Sequence, residues 1–317
     1  MLQAALAQQM NEIGFNSRPE TANSLIVQAL RPEHRTEVLS FLSSRPVHTV
    51  FMAGFIRDNG LVSPFNRGTF YGCRDGDGRL EGVSLIGHCT FLETRSERAL
   101  SAFARMTQVC PSAHLILGED HKVERFWSYF DKDARKPRRF SRQVLFGQSA
   151  AMESFEPVNG LREATRNDLP RLLPVYARMV AQESGVNPLE TDSEGFRQRW
   201  LRRIEQHRVW LWTEDGTLLF CASIVSETAD VIYLEGIHVN PDARGRGYGA
   251  RCLSQLSRRL LERAKTICLL ANEQNTHVRA FYEKVGFEKH CYYDTIFLHP
   301  RNPVTSPASE QDEQRTS

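Results

Sequence analysis

Residues 230–264 read DVIYLEGIHVNPDARGRGYGARCLSQLSRRLLERA. Val231 to Val239 is β-branched and aromatic, the composition of a strand. Gly236 inside it marks a bulge or a close backbone approach. Pro241 ends the strand. Arg244, Gly245, Arg246, Gly247, Tyr248 and Gly249 form a loop that runs into Ala250 and a helix. Leu253, Leu256, Leu260, Leu261 and Ala264 are the buried stripe of that helix. A strand, a glycine-rich loop and a helix N-terminus together make an anion site. Free N–H groups of the first turn point at the ligand, and the helix dipole favours negative charge. Glycines let the backbone close around a phosphate without Cβ clashes. Arg244 and Arg246 add cationic donors. The competing reading is a dinucleotide fold, because Gly245, Gly247 and Ala250 fit G-x-G-x-x-A and Glu273 follows at some distance. That fingerprint needs its first glycine at the strand end, whereas NPDAR intervenes here.

Outward from this stretch, the chain reads as a diverged repeat. One half opens VQALRPEHRTEVLSFL and the other GLREATRNDLPRLLPVY. Each predicts a strand, an Arg-containing turn and an amphipathic helix. In the second, Leu169, Leu172, Leu173, Tyr176, Met179 and Val180 share one stripe. Each half then has a hairpin with a Gly/Asp turn, FYGCRDGDGRLEGVSLI and VWLWTEDGTLLFCASIV. Each later has an apolar strand entering a short aromatic helix, HLILGEDHKVERFWSYF and CLLANEQNTHVRAFYEKVGF. These correspondences predict an N-terminal arm over 1–24, a first domain over 25–147, a linker over 148–160 and a second domain over 161–299. The Pro/Ser/Glu/Gln-rich stretch 300–317 is expected to be a disordered tail.

The composition narrows the function classes. The 317 residues carry 40 Lys plus Arg against 38 Asp plus Glu, a net charge of +2. That balance gives no global drive toward nucleic acid or anionic membrane. The basic run KDARKPRR, residues 132–139, lacks interleaved aromatics and reads as a solvated edge. Apolar runs fall short of the ~20 residues that cross a bilayer, and the N-terminus has no basic start or compact apolar block, so no signal peptide is expected. Seven cysteines without a C-x-x-C pair argue against disulfides or a metal site and for a reducing cytoplasm.

Arg244-x-x-Gly247-x-Gly249 after a strand ending Val239-Asn240-Pro241 resembles the acyl-CoA pyrophosphate loop of the GNAT superfamily of N-acyltransferases. Asn272-Glu-Gln-Asn275 and Phe281-Tyr282-Glu283-Lys284-Val285-Gly286-Phe287 resemble its second signature. The resemblance covers about 160–298. The first half, through FYGCRDGDGRLEGVSLIG, AFARM, ERFW and RRFSRQVLF, is similar to the GNAT-like first domain of some two-part members. It has no R-x-x-G-x-G, so no cofactor is expected there. The implied fold is α/β: tandem GNAT-like domains, each a mixed, mainly antiparallel sheet flanked by helices.

The resemblance implies that acetyl-CoA, or another acyl-CoA, is co-substrate and an amine, small-molecule or protein, is acceptor, with no metal. It places the cofactor on Ile237, His238, Val239, Arg244, Gly245, Arg246, Gly247, Tyr248, Gly249, Ala250, Asn275 and Tyr282. Ile237 and Val239 would offer backbone groups to the pantetheine arm. Tyr282 matches the superfamily's general acid toward the leaving thiolate. Its helical stripe with Val278, Phe281 and Val285 equally fits a core tyrosine. Trp127 stands at the matching place in the first half and cannot be an acid. Asn275 precedes a helix and should cap it. Glu235, beside the expected acetyl position, is the candidate base if partly buried. His238 is second in line, since alternation sets it opposite Ile237 and Val239. The segment 181–192 is expected to be a loop over the acceptor, with Glu183 and Glu190 attracting an ammonium group. An acyl-CoA-binding sensor or scaffold without turnover is the rival from another class. Within enzymes, the rival is a tandem transferase acting on the amine of a thiol-bearing metabolite.

Overall fold

The computed structural model describes residues 25–130, 135–152 and 156–299. The predicted N-terminal arm and C-terminal tail, and residues 132–134 of the basic run, lie outside the described residues.

The first half runs β1 (Ile26–Ala29), α1 (Arg35–Leu42), α2 (Pro46–Asn59), β2 (Gly68–Arg74), β3 (Leu80–Gly87), β4 (Cys89–Thr94), α3 (Glu97–Val109), β5 (Leu115–Glu119), α4 (Asp120–Ser128) and β6 (Pro137–Gln148). The second runs β7 (Arg162–Glu163), α5 (Leu169–Ser184), α6 (Pro188–Thr191), α7 (Ser193–Glu205), β8 (Val209–Glu214), β9 (Thr217–Glu227), β10 (Val231–Val239), α8 (Tyr248–Leu261), β11 (Thr266–Asn272), α9 (Thr276–Lys284) and β12 (Glu288–Leu298). Both quoted hairpins form. Asp215 and Gly216 both take positive φ at the turn between β8 and β9, the two-residue turn whose twist matches the strands.

The twelve strands of the described residues join one sheet in the order β1-β2-β3-β4-β5-β12-β6-β11-β10-β9-β8-β7. Read inward from either end, each half gives five strands in the same arrangement. A parallel pair then forms in each, β4 with β5 and β10 with β11. The sixth strand is exchanged. β12 of the second half pairs with β5, and β6 of the first half pairs with β11. β6 and β12 pair with each other along their length at the centre. The sheet is mixed and mainly antiparallel, with helices on both faces, as the fold reading expected.

The strand exchange was not legible in RRFSRQVLF, which reads as an ordinary strand at the end of the first half. The chain between the halves packs along α8. Arg251 Nε donates to Glu156 O, and Gln255 Nε2 to Val158 O.

The two halves share packing as well as hydrogen bonds. Helix α2 lies on β9 and β10 of the second half. Ser226 Oγ donates to Val50 O at 2.6 Å, and the Phe51 and Tyr233 rings sit 4.3 Å apart. Arg208 pairs with Asp58 through both guanidinium nitrogens. On the opposite face, α8 and α9 cover Ile232, Leu234, Ile267, Leu269, Val144 and Phe146.

Candidate functional site

The site begins where β10 and β11 part. They pair only from Val231 with Thr266 to Leu234 with Leu269. Strand β11 continues to Asn272 on β6, while β10 carries on to Val239 held by β9 alone. One backbone edge of residues 235–239 therefore faces a gap. Backbone groups on such an edge need a partner, and an extended ligand arm bearing amides supplies one.

Gly236 shapes that edge. Glu235 pairs with Ser223 and His238 with Cys221, so Gly236 and Ile237 together oppose Ala222 in a bulge. Gly236 has φ +66°, and a Cβ there would meet the Tyr176 ring at 2.5 Å. Only glycine fits this combination. The extra residue resets alternation. Leu234, Ile237 and Val239 pack into one core, while Tyr233 packs into the other.

The loop after β10 is pinned by Asn240, whose Nδ2 donates to Leu218 O. A 3-10 turn at Pro241–Ala243 follows, and Arg244 Nε donates to Val239 O. Gly245 and Gly247 have φ +76° and +77°, and Gly247 caps α8. Residues 244–247 are exposed, whereas Gly249 and Ala250 are buried. A Cβ on Gly249 would reach Val239 at 2.8 Å, so the first turn of α8 rides directly on β10. Tyr248 stands edge-on to Trp212 at 4.9 Å. Exposed glycines, two arginines and the open amino end of a 14-residue helix are the parts of a phosphate cradle.

Tyr282, on α9, lies under the same gap. Its ring packs against Phe146 at 5.8 Å, Phe281 at 5.4 Å and Phe287 at 5.9 Å. Burial pushes its pKa well above the ordinary phenol value, so it keeps its proton at neutral pH. The core and donor readings of this tyrosine coexist. Asn275 caps α9 by accepting from Val278 N–H at 3.1 Å, as expected.

The opposite side of the gap carries acid groups. Glu235 is exposed on β10. Glu183 faces it, not from a loop as the sequence suggested but from the last turn of α5, because Gly185 at φ +74° ends the helix only after Ser184. Glu183 is exposed at the surface, with Gln143, Arg139 and Glu235 close to its carboxylate. Desolvation first and the Glu235 charge second push its pKa up to about 7, against the pull of Gln143 and Arg139. The solvent contact tempers the size of that shift, and its upward direction follows from desolvation and the facing Glu235 charge. Tyr233 lies within the fields of Glu235, Cys268, Glu183 and Tyr282, in descending order. His238 is half-buried, and desolvation, Arg244 and Arg178 keep its pKa low. Glu190 is exposed and accepts from Asn187 Nδ2 within its own short helix α6.

Sequence reasoning missed Gln143 of β6, whose Nε2 donates to Glu183 Oε1 at 3.3 Å. A buried polar residue inside an apolar strand run was the available signal. Its partner was hidden because strand exchange brings the two together.

The corresponding place in the first half is filled. There β4 and β5 pair only at Cys89 with Leu115 and Thr90 with Ile116. Beyond that, Glu93 and Glu119 are bridged by Arg45 and Lys122 at 2.7–3.2 Å. Arg95 and Ser96 alone connect β4 to α3, Ser96 caps it, and Glu97 puts an acid in its first turn. An acid there repels phosphate. Trp127 stacks on Phe130 at 4.7 Å. His48, Glu119 and Cys291 offer donor atoms within 4.8 Å of one another, but Arg45 and Lys122 already place two cations on Glu119.

Comparison with known proteins agrees with this geometry. Residues 174–287 match the model of the acetyltransferase (GNAT) family. No curated protein sequence matches the chain. Among solved structures, a Drosophila protein aligns with TM-score 0.59 at 13% identity, covering 88% of this chain and 100% of that one. A tandem GNAT protein from the clavulanic acid biosynthesis pathway aligns with TM-score 0.54 at 12% identity, over 88% of this chain and 99% of that one. A GNAT-family acetyltransferase from Colwellia psychrerythraea gives TM-score 0.50 at 12% identity, over 86% and 99%. At these identities the likeness is one of fold. The family activity is acyl transfer from an acyl-CoA. The second half of this chain carries a GNAT acetyltransferase domain, and the first half is GNAT-like by fold.

Proposed function

We propose that the second half transfers an acyl group, acetyl in the simplest case, from coenzyme A directly to a primary amine. The observation that carries this reading is the convergence of three features on one gap. These are the open edge of β10, the Arg244–Ala250 cradle, and a buried, protonated phenol on one face of the sheet with a carboxylate pair on the other.

In this reading the pyrophosphate lies on the N–H groups of residues 245–250 with Arg244 and Arg246 beside it. The pantetheine arm pairs with the edge at Ile237 to Val239, and Asn275 and Tyr248 border it. The bulge at Gly236 turns a backbone N–H toward the thioester carbonyl. One such donor is worth roughly 2.7–4 kcal/mol in the transition state. Glu183 and Glu235 attract the acceptor as an ammonium ion and take its proton. The free amine attacks the carbonyl carbon, a C–N bond forms and the C–S bond breaks. Tyr282 gives its proton to the departing thiolate and regains one from solvent. The seven cysteines of the chain are all free. Among the described residues no helix is long and apolar enough to cross a membrane.

Release of free CoA from acetyl-CoA against a panel of primary amines tests the reading. Turnover on some amines, abolished in Glu183→Gln/Glu235→Gln, is the expected result. Tight CoA binding without turnover on any amine would instead mark a sensor.

A further inference from the structure

We propose that Gln143, on the strand the first half lends to the second, is a positioning residue that orients Glu183 as the proton acceptor for the incoming amine. This rests on the acyl-transfer reading above and assigns the first half a part in it.

Three observations carry the inference. Gln143 is buried at the centre of the sheet, opposite Asn272 of β11 on one side and Tyr293 of β12 on the other. Its amide is fixed in one sense. The ionised Glu183 carboxylate only accepts, so Nε2 is the end turned toward it, and the hydroxyl of the buried Thr295, able to serve either end, donates to Gln143 Oε1 at 3.0 Å. Nε2 then donates to Glu183 Oε1 at 3.3 Å. The relay Thr295–Gln143–Glu183 therefore joins β12, β6 and α5, elements from both halves.

The chemistry follows from which oxygen is occupied. With Oε1 held by Gln143, Oε2 is the oxygen left to accept the amine proton. An N–H donor stabilises the ionised form of the carboxylate it touches, so Gln143 opposes the two influences that protonate Glu183, desolvation and Glu235. The groups facing Glu183 are Glu235 and the Tyr233 phenol from β10, and Arg139 with Gln143 from β6. Beyond Glu235 lie Cys89 and, near Cys89, Arg67 of the first half. Glu235 raises the Glu183 pKa, and Arg139 and Gln143 lower it. Of the two that lower it, Gln143 alone makes the hydrogen bond.

The test is a carbon-13 NMR titration of the full chain with labelled glutamate carboxyls. Glu183→Gln identifies the Glu183 signal by its loss. In the wild type Glu183 is expected to titrate above the ordinary carboxylate range. In Gln143→Met, which keeps the length and removes the donor, the midpoint is expected to move up by about one unit. In Thr295→Val, which frees the amide to turn, a smaller upward move is expected. Unchanged near-UV circular dichroism shows that each variant keeps its packing. If Gln143→Met does not fold, Thr295→Val carries the test. Equal Glu183 midpoints in the wild type and the folded variants overturn the proposal, as does an ordinary carboxylate midpoint in the wild type. The titration needs no acceptor, so a shifted midpoint without turnover on any amine would sustain the relay and count against acyl transfer. Turnover with an unmoved midpoint would do the reverse. Where turnover is found, the acid limb of kcat/KM moves with the NMR midpoint and the high-pH plateau stays.

Discussion

Tyr282 is surrounded by Phe146, Phe281 and Phe287, and that apolar setting decides what its hydroxyl can do. A phenol with a raised pKa is a proton donor at neutral pH and a poor base. It meets the sulfur mainly as the thiolate forms, so its contribution belongs to the transition state. Tyr282→Phe should lower kcat by about 10²–10⁴-fold and leave CoA affinity almost unchanged. Steady-state kinetics with parallel calorimetry checks this, and an unaltered kcat would leave Tyr282 as a core residue. This position was readable from its motif, because a tyrosine on an otherwise apolar helix stripe retains its phenol wherever the ring packs. Glu183 was named from the same reading but placed in a loop. The helix extends one turn further because Gly185 supplies the left-handed residue that ends it. Gln143 was unreadable, since its role exists only once Thr295 and Glu183 are brought to it from far along the chain.

Strand β10 does two jobs in nine residues. Ile232, Tyr233 and Leu234 pair on both sides, and the residues after them keep only β9. The switch falls at the Gly236 bulge, where positive φ and the Tyr176 ring exclude a side chain. Gly236→Ala should therefore cost roughly 1–3 kcal/mol and weaken acyl transfer together with stability. Urea denaturation measures the first and CoA release the second. A variant as stable and as active as the wild type would show that the bulge does not matter. Elements of this kind were the most legible part of the sequence. Strand, glycine loop and helix all announce themselves through local composition, and Gly236 itself flagged the irregularity. What local composition does not encode is which strand lies next to which. RRFSRQVLF and the strand from Glu288 each look complete, yet each closes the other half's sheet.

At the scale of the molecule, two copies of one architecture have diverged in what fills the strand gap. The second half keeps it open above a cradle of glycines. The first half closes it with Arg45, Lys122, Glu93 and Glu119, all but Arg45 well buried. Burial raises the Glu119 pKa, but Arg45, Lys122 and His48 outweigh it and hold it at about 2. A depressed carboxylate stabilises the fold above its unfolded pKa of ~4.5 and loses that contribution as pH falls through its folded value. The unfolding free energy from urea denaturation should thus drop between about pH 5 and pH 2, by an amount on the order of 3 kcal/mol for this group. Glu119→Gln should flatten that stretch of the curve. An identical acid profile in the variant would remove the network from the account. The repeat itself was visible in the order of hairpins and aromatic helices, and the lack of R-x-x-G-x-G in the first half was readable directly. The ion network was not visible, because Arg45, Glu93, Glu119 and Lys122 are scattered over nearly eighty residues and meet only in the fold. The central claim is that one half alone holds coenzyme A, through the loop at 244–250. Calorimetric titration of the full chain with CoA tests it most directly. The account predicts one CoA per chain for the wild type and none for Gly247→Asp, which puts an acid where the phosphate would sit; Gly247→Asp binding as tightly as wild type, or two CoA per chain, would contradict it.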